Sequence, residues 1–132
     1  MRDEEPRADP VTIVLADDHT VLRNGLRMLL DAQEGFEVVG EAGTIPQALE
    51  AIRAHRPRVL LLDLNMPGGS SIDAIPTVTR ISSGTVVVML TMETSPSFMA
   101  AAYDAGARGY TRKEAAAAQL ISAIREALEP PE

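Results

Sequence analysis

A chain of 132 residues, 45% hydrophobic and 23% charged, suits one soluble domain around one core rather than a disordered or fibrous polymer. A formal net charge of -7 argues against this segment binding nucleic-acid phosphates or an anionic membrane surface by itself, and the absence of cysteine excludes disulfides, thiolate nucleophiles and cysteine-based zinc sites. No apolar run approaches the ~18–20 residues that cross a bilayer.

Residues 1–10 carry two Arg against four acids and lack the apolar stretch of a secretory signal, so they read as a disordered leader, and a cytoplasmic location is expected. With aromatics at 3%, the core must come from Leu, Ile, Val, Met and Ala.

From residue 11 onward, strand-like apolar runs alternate with helical periodicity five times. Val11–Ala16 reads as the first strand, followed by a helix with Leu22, Leu26 and Leu29 on one face and a break at Gly35. Glu37–Glu41 reads as a short second strand. Thr44 then caps a helix with Ile45, Ala48, Leu49 and Ile52 inward, ending near His55-Arg56-Pro57. Arg58–Leu62 is apolar on both faces, as in a central parallel strand.

Residues 67–71 read as a loop. Because Pro76 cannot donate a backbone hydrogen bond, the third helix is expected to start near Asp73 with Pro76 in its first turn. Thr85–Leu90 is the clearest strand. Ser95 and Pro96 open the fourth helix as N-cap and first residue, and Gly106 closes it. Arg108–Thr111 reads as the fifth strand, and a last helix is expected from Glu114 to Leu128 with Leu120, Ile121, Ile124 and Leu128 inward. The implied fold is a doubly wound α/β domain over 11–128: a five-stranded parallel sheet in the order 2-1-3-4-5 with five helices.

Such sheets bind ligands beyond the carboxyl ends of their strands, at the switch point between strands 1 and 3. Polar residues fall at those ends here: Asp17 and Asp18 after the first strand, Asp63 after the third, Thr91 after the fourth and Lys113 after the fifth. Considered singly, the acidic pair is a solvated turn, Lys113 a surface lysine and Tyr110 ordinary half-buried packing. Taken together, three carboxylates at adjacent strand ends require raised pKa values or a cation, and an oxygen-rich, partly open site suits Mg²⁺. A carboxylate beside Mg²⁺ and an ammonium is equipped to attack phosphorus, with Lys113 and the Thr91 hydroxyl on the equatorial oxygens.

Ala16-Asp17-Asp18-His19, Leu61–Pro67, Leu90-Thr91 and Gly106–Lys113, in that order and spacing, resemble the receiver domains of bacterial two-component response regulators. The resemblance implies that Asp63 is the phospho-acceptor, taking its group from a phosphohistidine on a sensor histidine kinase. It implies Mg²⁺ bound by Asp18, Asp63 and the backbone carbonyl of Asn65, with Asp17 acting through a water. Lys113 would pair with the acceptor, and Thr91 and Tyr110 would switch the surface of the fourth helix, fifth strand and fifth helix.

The phrases Val38–Ala42 and Leu62–Gly68 are most similar to the subfamily with a LuxR-type helix-turn-helix output. That implies an output domain, transcriptional in kind, which this segment lacks. Residues 129–132 would begin a linker, and a piece of a longer protein is expected. Part of the last helix's apolar stripe is available for a homodimer. No enzyme activity is expected beyond the chain's own phosphorylation and dephosphorylation, with Asn65 and Glu93 flanking the path of the attacking water and setting the lifetime of the phosphorylated state.

Three positions depart from the family pattern: Ser70-Ser71 stand where Asn-Gly or Asp-Gly is frequent, Met92 where a small residue is usual, and Glu114 where proline is common, which puts the usual cis peptide in doubt. A haloacid-dehalogenase-like phosphatase is the first rival, but it needs a second Asp two positions after the first, where this chain has Asn65. A flavin carrier needs a hydroxyl- and glycine-rich phosphate loop in place of Asp17-Asp18. A phosphorylation-independent interaction module is the remaining alternative. His19 and His55 read as exposed residues with no metal or phosphocarrier role.

Overall fold

The computed structural model describes residues 9–92 and 96–129. Most of the expected leader, residues 1–8, lies outside these, as do Glu93, the expected cap Ser95 and residues 130–132 of the expected linker. Five strands, β1 (Val11–Ala16), β2 (Phe36–Ala42), β3 (Val59–Asp63), β4 (Val86–Thr91) and β5 (Gly109–Arg112), alternate with α1 (Thr20–Ala32), α2 (Ile45–His55), α3 (Ser71–Ile81), α4 (Pro96–Ala105) and α5 (Ala117–Leu128). The sheet is parallel in the order β2-β1-β3-β4-β5, the doubly wound topology expected from the alternation.

The side-chain period of two divides the interior into two cores. Val14 and Ala16 of β1, Leu60 and Leu62 of β3 and Val87 and Met89 of β4 face α2 and α3, where they meet Ile52, Ile75 and Val78. Their alternates, Ile13, Leu15, Val59, Leu61, Val88 and Leu90, face α1 and α5, against Leu26, Leu30, Leu120 and Ile124. Every residue of β3 is buried, as its unbroken apolar sequence requires of a central strand.

Caps explain where several elements begin. Thr44 accepts a hydrogen bond from the backbone N–H of Gln47 at 3.2 Å, as expected for the start of α2. The start of α3 needs correction: it begins at Ser71, not near Asp73, because the Ser70 hydroxyl accepts from the N–H of Asp73 at 3.1 Å. Pro76 therefore lies inside α3 rather than in its first turn. It is exposed, so water can reach the Ile72 carbonyl that its ring leaves without a donor. Pro76→Ala should raise stability by about 1–2 kcal/mol, less than the full helix-interior penalty because the freer unfolded chain offsets part of it; the urea midpoint at constant slope is the check.

The last helix also starts later than expected, at Ala117. Residues 113–115 are tied to the sheet instead: Lys113 N–H donates to the Thr91 carbonyl at 2.9 Å and Ala115 N–H to the Arg112 carbonyl at 3.0 Å. Those tethers override the helix propensity of the alanine run. Glu114 pairs with Arg112 at 2.7 Å, and all peptide bonds among the described residues are trans. Within α1, Leu30 is fully buried although the sequence pattern had singled out Leu29, which is only partly so.

Candidate functional site

Backbone hydrogen bonds carry the sheet ladder one residue past its strand ends, and the polar side chains stand on this extension. Asp17 N–H donates to the Ala42 carbonyl at 3.0 Å, Leu64 N–H to Leu90 at 2.9 Å and Lys113 N–H to Thr91 at 2.9 Å. The four elements thus fix Asp17, Asp63, Thr91 and Lys113 within one end of the sheet, and all four are buried.

Lys113 is the centre of the arrangement. Its ammonium donates to Asp63 Oδ2 at 2.7 Å and lies 3.1 Å from Asp17 Oδ2. Asp18, half-exposed, completes the acidic set, and ligand atoms of Asp17, Asp18, His19 and Asp63 all lie within 4.8 Å of one another. Burial pushes the Asp63 carboxyl above its ordinary value. The hydrogen bonds from Lys113 and from the Asn65 N–H oppose that rise without cancelling it, and the charge of Asp17 adds to it. Burial alone would lower the Lys113 ammonium, but its bonds to Asp63 and Asp17 outweigh that and hold it above the lysine norm.

Three carboxylates against one ammonium leave an excess of two negative charges, which a divalent cation would balance. Asp17 Oδ2 is fully buried with the Lys113 ammonium at 3.1 Å but accepts no aligned hydrogen bond, so this acceptor retains coordinating capacity for a second positive partner. An all-carboxylate oxygen set open to water on the Asp18 side fits a hard dication. The acidic cluster is therefore able to hold a metal ion.

The other residues singled out in the sequence are distributed as follows. Thr91 is buried at the end of β4. Asn65 is exposed, and its backbone N–H donates to Asp63 Oδ1 at 3.0 Å, fixing the rotamer of that carboxylate. Tyr110 stands apart from the pocket: its ring is 41% exposed on the outer surface of β5, lining a hollow of about 340 Å³ with Tyr103, Arg108 and Glu126. Both histidines are exposed, as expected.

Sequence reasoning missed three residues that hold the site. Ser71, read as loop, is buried and donates to the Asp63 carbonyl at 2.6 Å. Of the two serines that depart from the family pattern, Ser70 caps α3 and Ser71 anchors the loop to β3. Gly68 and Gly69 sit at φ +92° and +143°, and a Cβ on Gly68 would lie 2.7 Å from Pro46 Cδ, so this turn requires glycine there. Arg23 donates to the Asp17 carbonyl at 2.6 Å and to Glu41 at 2.9 Å, bracing the acidic pair from α1. The third is His19: its ring Nδ1 lies 3.2 Å from Asp17 Oδ1 and 3.1 Å from Lys113 Nζ. Only a basic residue one turn into the helix hinted at Arg23. Ser71 stood out only as a departure from the family pattern and His19 only as part of the motif after β1, neither of which signals its contact.

An apolar hollow with Met92 on its rim adjoins the pocket. Asp63 is 1% exposed, while Met92 is 58% exposed and borders, with His19, Val21, Leu22 and Lys113, an apolar hollow of about 520 Å³. No helix among the described residues is long and apolar enough to cross a membrane.

Comparison with known proteins agrees with the site. The sequence model of the family described as "Response regulator receiver domain" matches residues 13–125. The response regulator UvrY of Escherichia coli is 36% identical over 115 residues, which cover 87% of this chain and 53% of UvrY. The chain thus spans about half the length of the curated relatives it matches. The signal receiver domain of the putative response regulator NarL from Mycobacterium tuberculosis superposes with a TM-score of 0.86 at 30% identity, covering 92% of this chain and 98% of that one. A two-component response regulator of the LuxR family from Aurantimonas sp. superposes with a TM-score of 0.84 at 32% identity, covering 91% of this chain and 86% of that one. The chain belongs to the receiver-domain family of two-component response regulators, and its similarity is to members with LuxR-type output.

Proposed function

We propose that this domain is a phosphorylation switch in which Asp63 accepts a phosphoryl group from the phosphohistidine of a sensor histidine kinase. One observation carries the reading: the acceptor carboxylate is hydrogen-bonded to a buried ammonium at 2.7 Å, inside a cluster of two further carboxylates. An Asp63 oxygen forms the new O–P bond as the N–P bond of the donor breaks, and the departing imidazole keeps the electron pair and takes up a proton. Lys113 neutralises charge on the transferred group's oxygens, and the Thr91 hydroxyl hydrogen-bonds another. Mg²⁺ would be held by Asp18, Asp63 and the Asn65 carbonyl, with Asp17 through a water, and when bound it supplies charge neutralisation at the phosphoryl oxygens.

Phosphorylation would draw Thr91 and then Tyr110 inward and alter the face formed by α4, β5 and α5. In the whole protein that face would control an output domain, transcriptional in kind, and support a homodimer. The domain, taken as residues 11–128 between the leader and a linker, would work in the cytoplasm without contacting DNA or membrane itself, and its only catalysis would be its own phosphorylation and dephosphorylation.

Intact mass after treatment with acetyl phosphate tests this: one added phosphoryl group is expected with Mg²⁺ and none with EDTA. No addition under either condition would favour the phosphorylation-independent module. Because Met92 shares a hollow with Lys113, the partner of Asp63, Met92→Ala should speed labelling about three- to tenfold by opening the rim, a change of about 1 kcal/mol in barrier. Stopped labelling time courses measure it, and an unchanged rate would exclude the rim as the limit on access.

A further inference from the structure

Among the residues around the acidic cluster, His19 has no part in the reading above, yet its ring nitrogen is one of the four atoms that lie within 4.8 Å of one another. Nδ1 is 3.2 Å from Asp17 Oδ1 and 3.4 Å from Asp18 Oδ1. A six-coordinate dication with ligands at about 2.1 Å places neighbouring ligands about 3 Å apart and opposite ones about 4.2 Å apart. The nitrogen therefore stands where an adjacent ligand of such an ion would stand.

The residue is held there by its own backbone. The backbone N–H of His19 donates to Asp17 Oδ1 at 2.8 Å, which clamps the residue over the pocket before any ion arrives. Lys113 Nζ lies 3.1 Å from Nδ1. The same nitrogen thus faces both the ammonium and the carboxylates of the cluster, and in the tautomer with its proton on Nε2 it offers a lone pair to a metal ion. A cation that takes this lone pair leaves Lys113 its bond to Asp63 at 2.7 Å and its contact with Asp17 at 3.1 Å. The His19 side chain is 64% exposed, so the ring can meet an incoming ion without desolvation of a buried group.

We infer that His19 is a metal ligand of this pocket and turns an all-oxygen Mg²⁺ site into a mixed nitrogen–oxygen site that favours borderline dications such as Co²⁺ and Ni²⁺. The inference rests on the metal pocket proposed above. Mg²⁺ gains little from imidazole, whereas affinity for nitrogen rises from Mn²⁺ to Co²⁺ to Ni²⁺. The selectivity of the pocket is thereby set by a residue outside the phosphotransfer machinery.

Calorimetric titration of the untagged protein with MgCl₂ and with CoCl₂ tests this, with the wild type, His19→Ala and His55→Ala compared. The chain has two histidines, so His55→Ala controls for adventitious surface binding. His19→Ala should weaken Co²⁺ binding about tenfold or more and Mg²⁺ binding by less than about twofold, while His55→Ala changes neither. Pulsed EPR of the Mn²⁺-loaded wild type should show coupling to a directly bound nitrogen that disappears in His19→Ala. Normal Mg²⁺ binding with equal Co²⁺ affinity in wild type and His19→Ala, or no nitrogen coupling, overturns the role of His19 alone. Failure of all three proteins to bind Mg²⁺ overturns the metal pocket as well.

Discussion

Asp63→Asn should stop phosphoryl uptake from both a sensor kinase and acetyl phosphate, lowering the labelling rate by at least about 10³-fold, a barrier increase of about 4 kcal/mol. The amide oxygen is a far weaker nucleophile than the carboxylate, and the acyl amide has no anionic form to attack phosphorus. The fold should persist, since Asn is nearly isosteric and the bonds that define the site from the backbone, Ser71 Oγ to the Asp63 carbonyl and Leu64 N–H to Leu90, do not involve the altered atoms. Far-UV circular dichroism and intact mass after acetyl phosphate treatment together check both halves. Labelling of this variant at the wild-type rate would mean that another side chain is the acceptor.

The second large effect falls on Lys113. Lys113→Met keeps the length of the side chain but leaves the buried Asp17 and Asp63 carboxylates facing each other without their ammonium. Breaking a buried pair from one side costs about 3–5 kcal/mol, a large part of the ~5–15 kcal/mol that holds a domain. The pH dependence follows in sign. The Asp63 carboxyl is already above its ordinary value with Lys113 present, and removing the ammonium raises it further. An acid whose folded value exceeds its unfolded one binds more protons when folded, so the variant should gain stability as pH falls from neutral towards the ordinary carboxylate value.

In the wild type the raised value of Lys113 contributes stability that is complete below the ordinary lysine value and is lost as pH rises through the folded one. Mg²⁺ should restore part of the variant's stability by supplying the missing positive charge. Urea unfolding at pH 5 and pH 8, with and without Mg²⁺, measures the effects in the variant. Equal midpoints for variant and wild type at pH 8 would show that the pair stabilises nothing.

Much of the fold was legible because parallel strands write their period into the sequence. Val14, Leu60 and Val87 fall on one face and Ile13, Val59 and Val88 on the other by simple alternation, and the unbroken apolar run of β3 marked it as central. Once that order is given, Asp17, Asp63, Thr91 and Lys113 are brought together by their places at strand ends, which is why the strand-end residues of the site could be listed before any coordinates. Tyr110 is legible only as a position: its ring points to solvent, and the sequence says nothing of its rotamer.

What escaped notice depends on loop conformation or on competition between local rules. Ser71 reaches the Asp63 carbonyl because two glycines with positive φ turn the chain back, a geometry that composition alone does not specify. His19 looked like an ordinary exposed histidine because nothing local reveals that its ring leans over Asp17 and Lys113, 94 positions away. α3 starts at Ser71, earlier than Pro76 suggests, because the cap offered by Ser70 outweighs the cost of an internal proline. α5 starts at Ala117, later than the alanine run suggests, because helix propensity yields to the tethers of residues 113 and 115. In both helices a local hydrogen bond to one backbone group decided the boundary.

Borohydride reduction of the domain after treatment with acetyl phosphate and Mg²⁺, followed by peptide mapping, asks directly which side chain carries the phosphoryl group. An aspartyl phosphate at residue 63 is reduced to homoserine, and the account predicts that conversion at this position and at no other. Homoserine at position 17 or 18, or a phosphoryl group retained on His19, Thr91 or another side chain while Asp63 stays unmodified, would contradict it.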